Sequence, residues 1–396
     1  MKAICWTGVN RVSVEDVPEP VIMSPKDAIV NVTSSSVCGS DLHLIDGYLP
    51  GMREGDVLGH EFVGEIVEVG TDVTRLRPGQ RVVVGSFIGC GGCYYCQEGL
   101  WSLCDNSNPQ PVVQEKLWGH AIGGVYGYTH ATGGFPGSHA PLIRVPFAEV
   151  NAFPVPEGLA DEQVVFASDA LPTGWMGAEM CDLRPGSVVA VWGCGAVGQS
   201  AIRAAFLLGA ERVIGIDRLP VRLAMTERHT GAETINFEEV DVMEALRETT
   251  GGRGPDACIE AVGMEAQGAG LEHAYDRTKQ AMRMHTERGG TLRQAILACR
   301  KGGTVSIIGV FGGYLDKFPI GAAMNKGLTM RAAQQHGQHY IPMLLDRIAR
   351  REIDPGYLAT HSLPLEEGPR GYQMFKDKRD DCVRVVFHPT GAPQPG

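Results

Sequence analysis

The stretch Pro185-Gly-Ser-Val-Val-Ala-Val-Trp192-Gly193-Cys-Gly195-Ala-Val-Gly198-Gln199, continuing to Val213-Ile-Gly-Ile216-Asp217-Arg218, decides how the chain is read. Its pattern predicts a buried strand over 188–192, a glycine turn, an Ala-rich helix over 199–208, a second strand over 212–216 and then an acid. That order is the fingerprint of a dinucleotide-binding turn. Gly193 allows the sharp turn, Gly195 lets the backbone approach a pyrophosphate, and Gly198 lets the helix pack close. Gly193, Gly195, Ala196, Val197 and Gly198 are therefore the expected cofactor-binding turn, with the N–H groups of the helix start facing the phosphates. Asp217 is expected to accept hydrogen bonds from the ribose hydroxyls and repel a 2′-phosphate, which favours NAD over NADP. Arg218 beside it works against that preference, because a guanidinium can pair with a 2′-phosphate.

Working outward, 396 residues suffice for two domains. A hydrophobic share of 43 % with 20 % charged residues excludes global disorder. The net charge of −11 argues against a nucleic-acid partner, which needs a basic face. No apolar run reaches membrane-spanning length, and Met1-Lys-Ala-Ile-Cys-Trp6 opens directly into strand-like sequence without a signal-peptide pattern, so a cytoplasmic protein with no membrane partner is expected. Eleven cysteines cannot all pair. Four of them cluster, which in such a chain points to metal.

Residues 1–85 alternate short β segments with Gly and Pro: 28–32 before a Ser-Ser-Ser run, 62–69, and 81–84. An antiparallel β domain fits them. Cys90, Cys93, Cys96 and Cys104 follow as C-x2-C-x2-C-x7-C. Four thiolates this close complete a tetrahedral zinc site with no open position, hence a structural one; an iron–sulfur cluster is the competing ligand chemistry. His120, His130 and His139 lie ten and nine apart, which suits neither a helix face nor a ligand pair, so they are expected to be loop or surface residues. After the fingerprint, segments 232–237, 256–262 and 304–309 continue a parallel sheet, with 304–310 a candidate edge strand. The 37 residues from 264 to 300 exceed one ordinary crossover. Their charged portion, 264–290, is either a solvated helical excursion or a lid over the cofactor. From Gly327 β character returns, with an amphipathic helix over 340–351 and a closing strand over 383–387.

With Cys38-Gly39-Ser40-Asp41-Leu42-His43, Gly59-His60-Glu61, the four-cysteine lobe, the fingerprint and the closing return in this order, the chain resembles the zinc-dependent medium-chain alcohol dehydrogenases over nearly its whole length. The resemblance implies an α/β fold: a Rossmann doubly wound parallel-sheet domain (166–324, insertion 264–290) and a mostly antiparallel GroES-like catalytic domain (1–165, structural lobe 86–106, completed by 325–396). It implies two zinc ions per chain and NAD, the catalytic zinc held by Cys38, His60 and Asp169. An aspartate at the third position, within Ser168-Asp-Ala-Leu-Pro-Thr173-Gly, is similar to the glutathione-independent formaldehyde dehydrogenase and dismutase branch. A zinc ion with an open position polarises a substrate oxygen so that hydride can pass to the nicotinamide, near Thr173 by analogy. Ser40 and His43 match the proton relay, and Glu61 an acid beside the zinc.

The expected activity is hydride transfer between NAD and a small alcohol or hydrated aldehyde, formaldehyde included. Polyol or secondary-alcohol oxidation, aldehyde dismutation with retained NAD, and a non-catalytic NAD-binding scaffold are the alternatives. The family also implies a homodimer or homotetramer.

Overall fold

Segments rich in Val and Ile, bounded by Gly and Pro, form the strands of two separate units. The computed structural model describes residues 1–264 and 288–391. The excursion expected over 264–290, and with it the lid, falls almost wholly outside the described residues. One compact unit comprises residues 1–172 with 335–396, and the other residues 173–334.

In the first unit a mainly antiparallel sheet runs in the order Ala152–Pro154, Arg81–Val84, Glu61–Val69, Ala28–Ser36, Val385–His388, His361–Pro364, with Leu142–Val145 also paired to Ala28–Ser36. The last pair, His361–Pro364 with Val385–His388, is parallel. The strand Val385–His388 lies antiparallel to Ala28–Ser36, so a late segment completes the sheet, while Arg11–Asp16, Lys2–Gly8 and Asp56–Val57 form a separate three-stranded one. One core gathers Val30, Phe62, Ile66, Val82, Val84 and Ile143. A second gathers Ile4, Leu44, Tyr372 and Phe387.

The strand expected to stop before Ser-Ser-Ser runs on through Ser36. Its three serines are fully buried. Their hydroxyls are satisfied within the protein, Ser34 by Asp161 and His388 (3.3 and 3.1 Å) and Ser35 by Ser138 and His139 (2.7 and 2.8 Å). Hydrogen bonding removes the cost that a polar run would otherwise impose on a buried strand.

The second unit carries a six-stranded sheet in the order Glu233–Asn236, Ala210–Asp217, Ser187–Trp192, Ala257–Glu260, Thr304–Ile307, Thr329–Ala332, parallel throughout. In chain order that is 3-2-1-4-5-6, the doubly wound arrangement that binds ligands where strand order reverses. Trp192, Ile214, Leu292, Ala295 and Val305 belong to its core. Two expectations are corrected here. Thr304–Ile307 is not an edge strand, because Thr329–Ala332 pairs outside it. That outer strand also places the return to the first unit after Gln334 rather than at 325. The cause is that a four-residue strand following Gly327 carries too little pattern to say which sheet it joins.

Candidate active site and metal centres

Cys38 precedes the helix Gly39–Ile45, His60 enters the strand Glu61–Val69, and Asp169 follows the 3-10 turn Val165–Ser168. That turn is pinned to the sheet by the buried Ser168 hydroxyl, which donates to the Val84 carbonyl and accepts from the Phe62 N–H at 3.2 Å. The result is that one ligand atom from each of Cys38, His60, Glu61 and Asp169 lies within 4.8 Å of all the others. His60 Nε2 is 3.3 Å and Cys38 Sγ 3.9 Å from Asp169 Oδ2.

Charge around this cluster is arranged by residues that the sequence reading left without a role. Asp41 is fully buried. One of its oxygens lies 3.1 Å from His60 Nδ1, off the angle of an aligned hydrogen bond. The other accepts from the Cys38 N–H at 2.9 Å and from the Tyr372 hydroxyl at 3.3 Å. Burial opposes its ionisation, yet His60 holds the Asp41 carboxyl below the usual range. Burial likewise opposes a charged His60, but Asp41 and then Asp169 raise it well above an ordinary histidine. Arg384, also buried, places Nη2 3.3 Å from Glu61 Oε1 and 3.9 Å from Cys38 Sγ. Burial lifts the Glu61 carboxyl to about 7, although the Arg384 guanidinium pulls it down. Asp41 could have been found as the acid three residues into a helix start. Arg384 could have been found as a lone charge in the apolar run Val383 to Phe387.

Sulfur, imidazole and carboxylate oxygen are the donor set of a zinc site. Glu61 Oε2 is buried and has no hydrogen-bond partner among the described residues. A cation at the cluster would satisfy that oxygen, and the residues therefore fit the metal. Ser40 Oγ stands 3.4 Å from His60 Nε2. Tyr128 meets the His60 ring edge to face, centroids 5.8 Å apart. His43 is buried on the helix that carries Ser40.

The other four cysteines also converge within 4.8 Å. Cys93 and Cys104 sulfurs are 3.9 Å apart, too far for a disulfide and close to the ~3.8 Å edge of a tetrahedron with ~2.3 Å zinc–sulfur arms. Backbone N–H groups point at the sulfurs: Cys90 and Asn106 to Cys104 (3.3 and 3.4 Å), Gly92 to Cys90 (3.4 Å). The Cys96 thiol first, then the Ser107 hydroxyl and the Asn106 and Cys90 amides, hold the Cys104 thiol below its ordinary range. Such donors favour thiolate, the form that binds zinc.

In the second unit Gly193 has φ +95°, and a Cβ on Gly198 would sit 1.7 Å from the Gly193 carbonyl oxygen. The nearest atom to a Cβ on Gly195 is Arg222 Nη1 at 3.7 Å, so the turn is open where a phosphate would approach. Gly195 caps the helix Ala196–Leu207, which therefore begins three residues earlier than expected and includes Ala196 and Val197. Thr173 lies in the helix Ala170–Glu179. A Cβ on Gly174 would come 2.5 Å from the Ala201 nitrogen, so that glycine allows the two helices to touch. Asp217 ends its strand as expected. Its carboxylate, however, is turned onto the backbone: Oδ1 accepts from Arg218 and Leu219 (2.7 and 3.0 Å), and Oδ2 from Cys194 (2.9 Å). Of the three histidines expected in loops or at the surface, His139 does lie in a loop, but one that is fully buried, against Ser35 and Phe387.

Residues 24–157 match the alcohol dehydrogenase GroES-like domain, and residues 196–285 match the zinc-binding dehydrogenase domain. The chain is 39 % identical to the uncharacterized zinc-type alcohol dehydrogenase-like protein AdhB of Bacillus subtilis, over 98 % of this chain and 100 % of that one. It is 30 % identical to the glutathione-independent formaldehyde dehydrogenase of Pseudomonas aeruginosa, covering 94 % of each. Its fold superposes on alcohol dehydrogenase TADH from Thermus sp. ATN1 with a TM-score of 0.82, 36 % identity and coverage of 98 % and 99 %. Two matched domains and full-length relatives place the chain in the zinc-dependent medium-chain alcohol dehydrogenase family, oxidoreductases that work with zinc and a nicotinamide dinucleotide.

Proposed function

We propose that the protein oxidises a small alcohol, or a hydrated aldehyde such as that of formaldehyde, with NAD as hydride acceptor. The observation that carries this reading is the convergence of Cys38, His60 and Asp169 around a buried, unpartnered Glu61 oxygen. In this reading those three residues hold the catalytic zinc, and Cys90, Cys93, Cys96 and Cys104 hold a second, structural one. A bound catalytic zinc supplies Lewis acidity toward a substrate oxygen. Asp41 keeps the His60 ring oriented, while Arg384 holds one oxygen of Glu61 so that the other faces the cluster. Ser40, beside His60, receives the substrate hydroxyl proton, and His43 on the same helix carries it onward. Thr173 and the turn from Gly193 to Gly198 seat the dinucleotide. Formaldehyde is favoured as a test substrate by the carboxylate at Asp169 together with the Pseudomonas relative.

The cytoplasm is favoured as its location by eleven cysteines, none of which is paired in a disulfide. A homodimer or homotetramer is supported by the outer strand Thr329–Ala332 and the exposed Ile320 and Met324 (65 % and 80 %). Size-exclusion chromatography with light scattering tests that assembly, and a monomer would remove it.

The decisive experiment combines metal analysis with NADH formation from a panel of small alcohols, polyols and formaldehyde. Two zinc ions per chain and turnover are expected. Cys38→Ser should retain one zinc and lose turnover. Full activity in Cys38→Ser overturns the reading.

A further inference from the structure

Accepting that the Gly193 turn seats a dinucleotide, we propose that Arg218 and Arg222 make this site accept a 2′-phosphorylated dinucleotide alongside the unphosphorylated one. An acid at the end of this strand discriminates against a 2′-phosphate only if its carboxylate faces the ribose with its charge uncompensated. Asp217 does neither. Its side chain is 9 % exposed, and its two oxygens already accept three backbone N–H groups, from Cys194, Arg218 and Leu219. Arg222 Nη1 lies 3.8 Å from Oδ2, beyond hydrogen-bond reach. The carboxylate thus acts as a clamp that holds the glycine turn to the strand end, and its charge is largely spent inside the protein.

The two guanidiniums are less committed. Arg222 sits where Gly195 leaves the turn open, with Nη1 3.7 Å from the missing Cβ, and its buried Nε has no hydrogen-bond partner among the described residues. Arg218 is 34 % exposed, and its ion pair with Glu238 is long, 3.4 Å, to a carboxylate that is itself 58 % exposed. An exposed pair of this kind gives way readily to a better anion. A phosphate monoester is such an anion, since guanidinium binds it through charge-assisted, bidentate hydrogen bonds. With Asp217 held by three backbone N–H groups and paired to Arg222 only at 3.8 Å, the hydrogen-bond donors of both arginines stay available to a phosphate at the ribose end of the site.

The test is binding rather than turnover. The purified zinc-loaded protein is titrated with NAD and NADP by calorimetry, with 5′-AMP and 2′,5′-ADP as short competitors. The expected result is an NADP dissociation constant within about twentyfold of that for NAD. Arg222→Ala and Arg218→Ala are each expected to weaken NADP about tenfold more than NAD, the effect of one charge-assisted hydrogen bond. A wild-type gap larger than twentyfold in favour of NAD, or variants that weaken both dinucleotides equally, overturns the proposal while leaving dinucleotide binding intact. Failure of both to bind overturns this proposal together with the reading on which it rests. The AMP competitors report on the wild-type chain even if a variant does not fold.

Discussion

Buried carboxylates do different work in the two units. Asp41 is fully buried behind His60, and its other oxygen holds the Cys38 N–H, so one side chain braces two of the proposed zinc ligands. Outer partners of this kind typically change metal affinity or activity by about 10–100-fold when altered. Asp41→Asn keeps the shape and removes the charge; we expect zinc retention under chelator to fall within that range while the four-cysteine lobe keeps its ion. Equal loss from both sites would show that the variant had merely loosened the unit. Glu260, also fully buried, accepts from the N–H groups of Val262 and Gly263 (3.1 and 2.9 Å) and from the Thr291 hydroxyl (2.7 Å) at the end of its strand. Burial raises its carboxyl above the ordinary range despite these donors. Glu260→Ala strands two buried donors and one part-buried one, and we expect a loss of about 2–4 kcal/mol in denaturant unfolding. A loss below about 1 kcal/mol would mean that water replaces the side chain.

The helix Gly337–Ala349 shows how one element ties the structural lobe down. Trp101 stacks on His339, centroids 6.2 Å apart, and Ser102 Oγ meets His336 Nδ1 at 3.0 Å. Burial first, and His339 second, lower the His336 pKa to about 4. The native state therefore keeps this ring neutral while the unfolded chain binds a proton near pH 6.5. Between those values the unfolded state binds more protons, so stability falls as pH drops from 6.5 toward 4. His336→Gln, which keeps a hydrogen-bonding side chain there, should flatten the decline of Tm over that window; an unchanged slope would assign the acid sensitivity to other groups. Little of this was legible in sequence. The fingerprint, the cysteine spacing and the Cys38 and His60 motifs announce themselves because their chemistry fixes local spacing. His139, Arg384 and the strand Thr329–Ala332 do not, because their places are set by partners far along the chain. Ser34 to Ser36 misled for the same reason: polarity suggests a loop until the groups that bond those hydroxyls, from Ser138 to His388, are known.

At the scale of the molecule, the proposed metal and dinucleotide sites draw on different units with different cores. All eight proposed zinc-site side chains, Glu61 included, lie in residues 1–172, whereas the Gly193 turn and Asp217 lie in residues 173–334. Phe62 and Ile66 pack in one core, Trp192 and Ile214 in another. A ligand stabilises the state it binds, and it protects most strongly the cooperative region that must open to release it. Zinc removal should therefore raise amide exchange in residues 28–36, 61–69 and 90–104, with much smaller change in residues 187–192, 210–217 and 257–260. Addition of NAD should do the converse, slowing exchange in the parallel strands and around the Gly193 turn. Hydrogen-exchange mass spectrometry of the zinc-loaded, chelated and NAD-bound protein reads both patterns in one series. If chelation deprotects the parallel strands as much as the β unit, the two cores open together, and zinc stabilises one cooperative body instead of one half of the chain.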